Sequence, residues 1–232
     1  MAAGDKVLVV SGGMPAPLLT RGDTPLAQLP PLRSDGVDFS RLLDAEGGAV
    51  EVGYLATRQE VLLTHLRSFA PDVLITELFP FGRRILRDEF TALLEAAHKL
   101  PRPPLICASI RDILAPPSKP KKAAYADEII DRFYDAVLIH SDPDLTPLEL
   151  SWPVSDTLRP KLHYTGFVAP PPALPHPDGT GAGEILVSAG GGDVGDHVYD
   201  AALEAAPQLR HPLRLLIGGA EPQARIADLR RR

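Results

Sequence analysis

Strand-like and helix-like segments alternate along the chain. A proline- and glycine-rich stretch interrupts them, and a glycine loop sits at the first turn beyond that stretch. Together these features predict an α/β protein made of two Rossmann-like domains with parallel sheets. The expected boundaries are an N-terminal domain over 1–168, a linker over 169–183 and a C-terminal domain over 184–232.

Composition agrees with a globular chain. The 232 residues are 44% hydrophobic and 23% charged, enough for one large or two modest domains. A formal net charge of -6 argues against a broad electrostatic grip on DNA or RNA, which needs many Lys or Arg to displace counterions. Arg230-Arg231-Arg232 reads as a solvated chain end. Cys107 is the only cysteine, so an internal disulfide and a Cys-based zinc site are excluded; it lies in an apolar run and is expected to be buried. No apolar segment approaches the ~20 residues of a membrane span, and no charged n-region precedes an apolar h-region. The expectation is a cytoplasmic protein.

Lys6 to Val10 reads as the first strand, ended by Ser11-Gly12-Gly13-Met14-Pro15. The roughly thirty residues that follow carry no trustworthy helical period and read as a long loop. Ala49 to Tyr54 is a modest strand candidate. Thr57 and Glu60 have capping-box spacing in front of Val61, Leu62, Leu66 and Phe69, which predicts a helix beginning there. Val73 to Glu77 is a strand that ends on a carboxylate, followed by Leu78-Phe79-Pro80-Phe81-Gly82-Arg83-Arg84. Open parallel sheets bind ligands at the carboxyl ends of their strands, which makes Glu77, Arg83 and Arg84 candidates. The alternative is a helix-capping Glu77 with two solvated arginines.

Glu89 to Leu100 is predicted helical, and Leu105 to Ser109 a buried strand. Arg111-Asp112 at its end either orients a polar ligand or closes a loop. Pro116 to Lys122 reads as a stiff basic loop. Ala123 to Tyr134 is predicted as a helix with Ala126, Ile129, Ile130 and Phe133 on one face, and Ala136 to Ile139 as a strand. His140 and Ser141 follow it, His140 being either a catalyst or a satisfied structural histidine, while Ser141 or Asp142 is a candidate cap for the next turn. Lys161 to Tyr164 is a short strand. The linker cannot pair in a sheet or continue a helix. Beyond it, Ile185 to Val187 reads as a strand, His197 to Ala206 as an amphipathic helix, Leu213 to Ile217 as a strand, and Glu221 onward as a final helix.

The turn Ser188-Ala189-Gly190-Gly191-Gly192-Asp193-Val194-Gly195 lies between a strand and a helix. Its glycines would let backbone amides approach a ligand, and the helix start would face it. It lacks the Gly-x-Gly-x-x-Gly spacing of a dinucleotide site and the Lys-Ser/Thr of a P-loop. Taken alone, it is either a tight turn or a phosphate cradle.

Five motifs occur in order: Thr76 to Arg84, Ser109-Ile110-Arg111-Asp112, His140-Ser141-Asp142-Pro143, Tyr164 to Val168 and Leu186 to Gly192. This series resembles a group of predicted bacterial glycosyltransferases similar to MurG and the glycosyltransferase family 28 proteins, of the GT-B fold. The resemblance implies transfer of a sugar from a nucleotide-diphosphate donor to an acceptor. It implies no cofactor and no metal, with the acceptor on the N-terminal domain and the donor mainly on the C-terminal one. Ser188, Gly190, Gly191, Gly192 and Gly195 would then bind the donor diphosphate, although Asp193 would repel it unless turned away. Glu77, Arg83, Arg84, Arg111, Asp112, His140 and Ser141 would bind substrate and line the cleft between the domains.

Two departures matter. The family's first strand and its Gly/His loop, which supplies the candidate base, have no counterpart, so Glu77, Arg111 and His140 are the substitute catalytic candidates. The second domain also stops after two strand-helix units, so the chain resembles a GT-B protein truncated at both ends, its second domain incomplete. A nucleotide-sugar 2-epimerase of the same fold is one alternative. Another is a non-catalytic remnant that binds a ligand or partner and self-associates through an exposed sheet edge. A nicotinamide-dependent dehydrogenase is more distant, because the glycine loop comes too late.

Overall fold

The computed structural model describes residues 4–15, 24–34, 41–169, 174, 176–192, 194–219 and 221–231. It divides into two compact units, Met1–Ala169 and Pro170–Arg232. Asp193 and much of the proline run lie outside the described residues.

The first unit centres on four parallel strands in sequential order: β5 (Val73–Glu77), β6 (Leu105–Arg111), β7 (Ala136–His140) and β8 (Leu162–Tyr164). Helix α2 (Arg87–His98) connects β5 to β6, and α3 (Pro120–Phe133) connects β6 to β7. The register sets Thr76 beside Ala108, and Ala108 beside Val137. Side chains alternate along a strand, and one face of the sheet, with Ile106, Ala108, Ile110, Val137 and Ile139, is buried in a single cluster with Leu93, Leu94 and Ala97 of α2 and Ile129, Ile130 and Phe133 of α3. The opposite face is thinly covered: Val73, Ile75 and Leu105 are 49%, 54% and 52% exposed. Cys107 lies on that face and is nevertheless buried by its neighbours, which raises its thiol pKa through desolvation and then through the nearby Asp135 carboxylate.

The N-terminal region departs from expectation. Its first strand, β1, is Val9–Ser11 rather than Lys6 to Val10, and it pairs in parallel with β2 (Leu26–Gln28), a strand inside the expected loop. A short antiparallel pair follows, β3 (Arg33–Ser34) with β4 (Leu42–Leu43). Neither pair is hydrogen-bonded into the four-stranded sheet.

The strand expected over Ala49 to Tyr54 is not formed. Ala49 makes one isolated bridge to Leu43, and helix α1 already begins at Val52 and runs to Phe69. The capping-box reading fails for the same reason: Thr57 lies inside the helix and its hydroxyl donates to the Gly53 carbonyl at 3.0 Å, the back-bonding open to a mid-helix Thr. Leu62 and Leu66 are buried as expected, whereas Phe69 at the helix end is 38% exposed. The basic loop is also shorter than predicted, because Pro120 is the first helical residue of α3, where its missing N–H costs nothing.

Arg58 ties these parts together. It is 3% exposed, and its guanidinium pairs with Glu89 of α2 at 2.7 Å. It also donates to the carbonyls of Gly12, at 2.9 Å, and Pro30. A Cβ on Gly12 would stand 2.0 Å from that guanidinium, so a larger residue there would displace Arg58 from its partners.

The second unit is smaller. Strands β9 (Ile185–Ser188) and β10 (Leu213–Leu216) pair in parallel, with α4 (Asp196–Ala205) between them and α5 (Pro222–Leu229) after them. Glu184 and Arg214 join the two strands at their start by a two-pronged ion pair.

Candidate functional site

The carboxyl edge of the four-stranded sheet gathers most of the residues singled out from sequence. Glu77 ends β5, Arg111 ends β6 and His140 ends β7. Glu77 is in register with Ser109, and Arg111 with His140. By strand alternation all four stand on the face opposite the buried helices.

Aromatic anchors hold the loop after β5. Phe79, Pro80 and Phe81 are buried; Phe79 stacks on Phe90 at 4.6 Å and Phe81 meets Trp152 edge-on at 5.1 Å. Leu78 and Arg83 both have positive φ, at 67° and 53°, an uncommon conformation for side-chain-bearing residues. The Leu78 amide donates to the Ser109 carbonyl at 2.8 Å, and the Gly82 amide to the Leu78 carbonyl at 2.7 Å. The loop thereby aims Arg83 at Glu77, with which it forms an ion pair. Glu77 therefore does not cap a helix. Arg84 donates to the Phe81 carbonyl at 2.5 Å, so neither arginine is simply solvated. Arg111 is open to solvent, 3.7 Å from Asp112.

His140 is bound on both sides of its ring. Nε2 lies 2.8 Å from Ser109 Oγ, and Nδ1 lies 2.8 Å from Thr165 Oγ1. Ser141, by contrast, is buried and donates to the Thr146 carbonyl at 2.7 Å, while Asp142 accepts from the Asp144 amide at 2.9 Å. These two order the following turn and do not join the Ser109–His140–Thr165 group. Ser109 and Thr165 lie within two of the sequence motifs, but nothing local marks a Ser and a Thr on either side of a histidine.

In the second unit the glycine loop forms a tight turn from β9 into α4. Gly190 and Gly195 have φ of 85° and 95°, where other residues are strained. The Ala189 amide donates to the Tyr199 hydroxyl at 3.3 Å and the Gly190 amide to Ser188 Oγ at 3.2 Å. The Gly219 amide donates to the Gly191 carbonyl at 3.1 Å, and a Cβ on Gly218 would lie 2.7 Å from the Gly190 carbonyl oxygen. Arg225 of α5, which sequence reasoning missed, donates to the carbonyls of Gly192 and Gly218 and pairs with Asp196 at the start of α4 at 2.5 Å. A lone arginine in a final helix carries no local signal of that role.

Among the described residues, no group of three or more His, Cys, Asp or Glu is placed to hold a metal ion. Likewise, no described helix is long and apolar enough to cross a membrane.

The fold and these two edges define an α/β protein of two units, with a polar cluster at the carboxyl edge of one sheet and a glycine turn after the first strand of the other. No protein-family model matches the chain, and no curated protein does. Its structure is similar to the crystal structure of Acinetobacter baumannii MurG, at 13% identity and a TM-score of 0.46, over 96% of this chain and 52% of that one. The chain spans about half the length of that protein.

Proposed function

We propose that the chain is a nucleotide-sugar glycosyltransferase of the GT-B type, or a part of one, which moves a sugar from a nucleotide-diphosphate donor to an acceptor without a metal. The observation that carries this reading is the glycine turn. Two positive-φ glycines bring a strand directly into the N-terminus of α4, and such a turn with a helix start behind it suits a diphosphate. Arg225 steadies the turn through the Gly192 carbonyl and ties it to the loop after β10 through that of Gly218. The order of the five sequence motifs supports the same reading. In a displacement at the anomeric carbon, the turn would stabilise the departing diphosphate, while a base would take the acceptor's proton.

The test is a thermal melt of the chain with UDP, GDP, dTDP and inorganic phosphate. A ligand at 100 times its dissociation constant adds about 2.7 kcal/mol of stability. A rise with one nucleoside diphosphate that Gly195→Ala abolishes supports the donor site and identifies the base; a melt that no nucleotide moves refutes it.

A second reading, a binding module, draws on the half-exposed Val73 and Ile75 of β5 with Leu105 beside them. An open strand edge is a template for pairing. Concentration-dependent self-association that Ile75→Lys abolishes would favour it.

A further inference from the structure

The ring of His140 has a hydroxyl partner at each nitrogen, and these partners assign its tautomer. Thr165 Oγ1 lies 3.0 Å from the Gly166 carbonyl oxygen and 3.2 Å from that of Ile139. Carbonyls only accept, so the single hydroxyl hydrogen of Thr165 is directed to one of them. Thr165 therefore accepts from His140 Nδ1–H. A neutral imidazole protonated at Nδ1 has a free lone pair at Nε2, and the atom 2.8 Å from Nε2 is the hydroxyl oxygen of Ser109. This tautomer is assigned from the hydrogen-bond network.

A hydroxyl, a base within hydrogen-bond reach of it, and a third group that orients the base form the arrangement that activates nucleophiles. We propose that Ser109, His140 and Thr165 form a hydroxyl-activating site that takes carboxylic esters, an activity separate from sugar transfer. The Ser109–His140 bond is partly buried and the His140–Thr165 bond exposed, so the group is neither sealed in the core nor fully solvated.

The step balances without a further reagent. Ser109 Oγ bonds to the ester carbonyl carbon while its proton passes to His140 Nε2. The bond from that carbon to the alkoxy oxygen breaks, and the leaving alcohol takes the proton from Nε2. Water then repeats the sequence, releasing the acid and restoring Ser109. Arg111 shares a strand and a face with Ser109 and is in register with His140. Thr165 is a positioning residue that holds the lone pair toward Ser109.

The experiment is labelling of the full chain with a fluorophosphonate probe. The Ser Oγ–P bond forms, fluoride leaves and the proton goes to His140. Labelled sites are mapped by peptide mass spectrometry, with a thermal melt of each variant as the folding control. The expected result is a single adduct on Ser109, absent in Ser109→Ala and slowed about 100-fold or more in His140→Gln. Thr165→Val should slow it and Thr165→Ser should restore it, which a purely structural threonine would not require. No adduct on the wild-type chain, or equal labelling of wild type and His140→Gln, overturns the proposal. The readout sits in the first unit and needs no nucleotide, so its failure is separable from failure of the donor site.

Discussion

The two units follow the same strand-helix-strand plan and differ in what they bury. In the first, four strands and the α2 and α3 helices enclose Phe79, Leu94, Ile106, Ile110, Ile130, Val137, Ile139 and Trp152 at 1% exposure or less. In the second, only Tyr199 reaches that level among the described residues, while Leu186 on β9 and Leu216 on β10 are 61% and 47% exposed. A two-stranded sheet has no central strand, and below three strands a sheet gains little independent stability. The strand count decides how far the same local grammar yields a core. A side chain's cost of removal should therefore depend on its unit more than on its type.

Trp152→Ala should show the largest effect. The ring is 1% exposed and packs on Phe81, and truncating such a residue costs about 3–5 kcal/mol. Denaturant titration should show the first unit's transition move by that amount; a change under 1 kcal/mol would mean that the first unit is no better packed than the second.

Next comes a pH effect from the buried pair on α1 and α2. Burial raises the Glu89 carboxyl above its ordinary value, and Arg58 opposes the rise without cancelling it. Between the unfolded value near 4.5 and the raised folded value, the native state holds more protons than the unfolded one. Glu89 therefore favours folding below that window, and the contribution is lost as pH rises through it. Glu89→Gln removes this dependence, so the variant should gain stability relative to wild type as pH goes from about 4.5 upward. Paired pH-stability curves check it, and a difference that shrinks with rising pH would reverse the assignment.

Tyr199→Phe should weaken only the second unit. It removes the hydroxyl that donates to the Leu216 carbonyl at 2.5 Å and accepts from the Ala189 amide, a loss of about 1 kcal/mol or somewhat more. Faster amide exchange at Ala189 with unchanged exchange in β6 and β7 would confirm that the units respond separately. Leu186→Ala should be smallest, within about 0.5 kcal/mol, as for surface positions generally. A loss above 2 kcal/mol would mean that Leu186 is covered in solution.

Spacing along the chain was enough for elements whose partners are local. The apolar runs at Val73, Leu105 and Ala136 became strands, and the Ala126, Ile129, Ile130 and Phe133 face of α3 is buried as its period requires. Local spacing misled at Thr57 and Glu60, because α1 already begins at Val52 and Thr57 stands in its second turn, where its hydroxyl bonds back to Gly53. It also passed over β2, a three-residue strand whose stability comes from its pairing with β1.

The carboxyl edge divides in the same way. Glu77, Arg111 and His140 were legible as polar residues that end apolar strands, and each stands at that end. Which of them meets what was not legible. Ser109 and His140 are 31 positions apart, and His140 and Thr165 are 25. Strand order brings the carboxyl ends of β6, β7 and β8 side by side, and a diagonal side-chain contact from Ser109 to His140 and a second to Thr165 complete the group. Amino-acid order thus specified the strands and the chemistry at their ends, since apolar runs and breakers act over a few residues. The pairing of that chemistry was left to the sheet, because hydrogen-bond register and strand order act between segments whose separation no local pattern encodes.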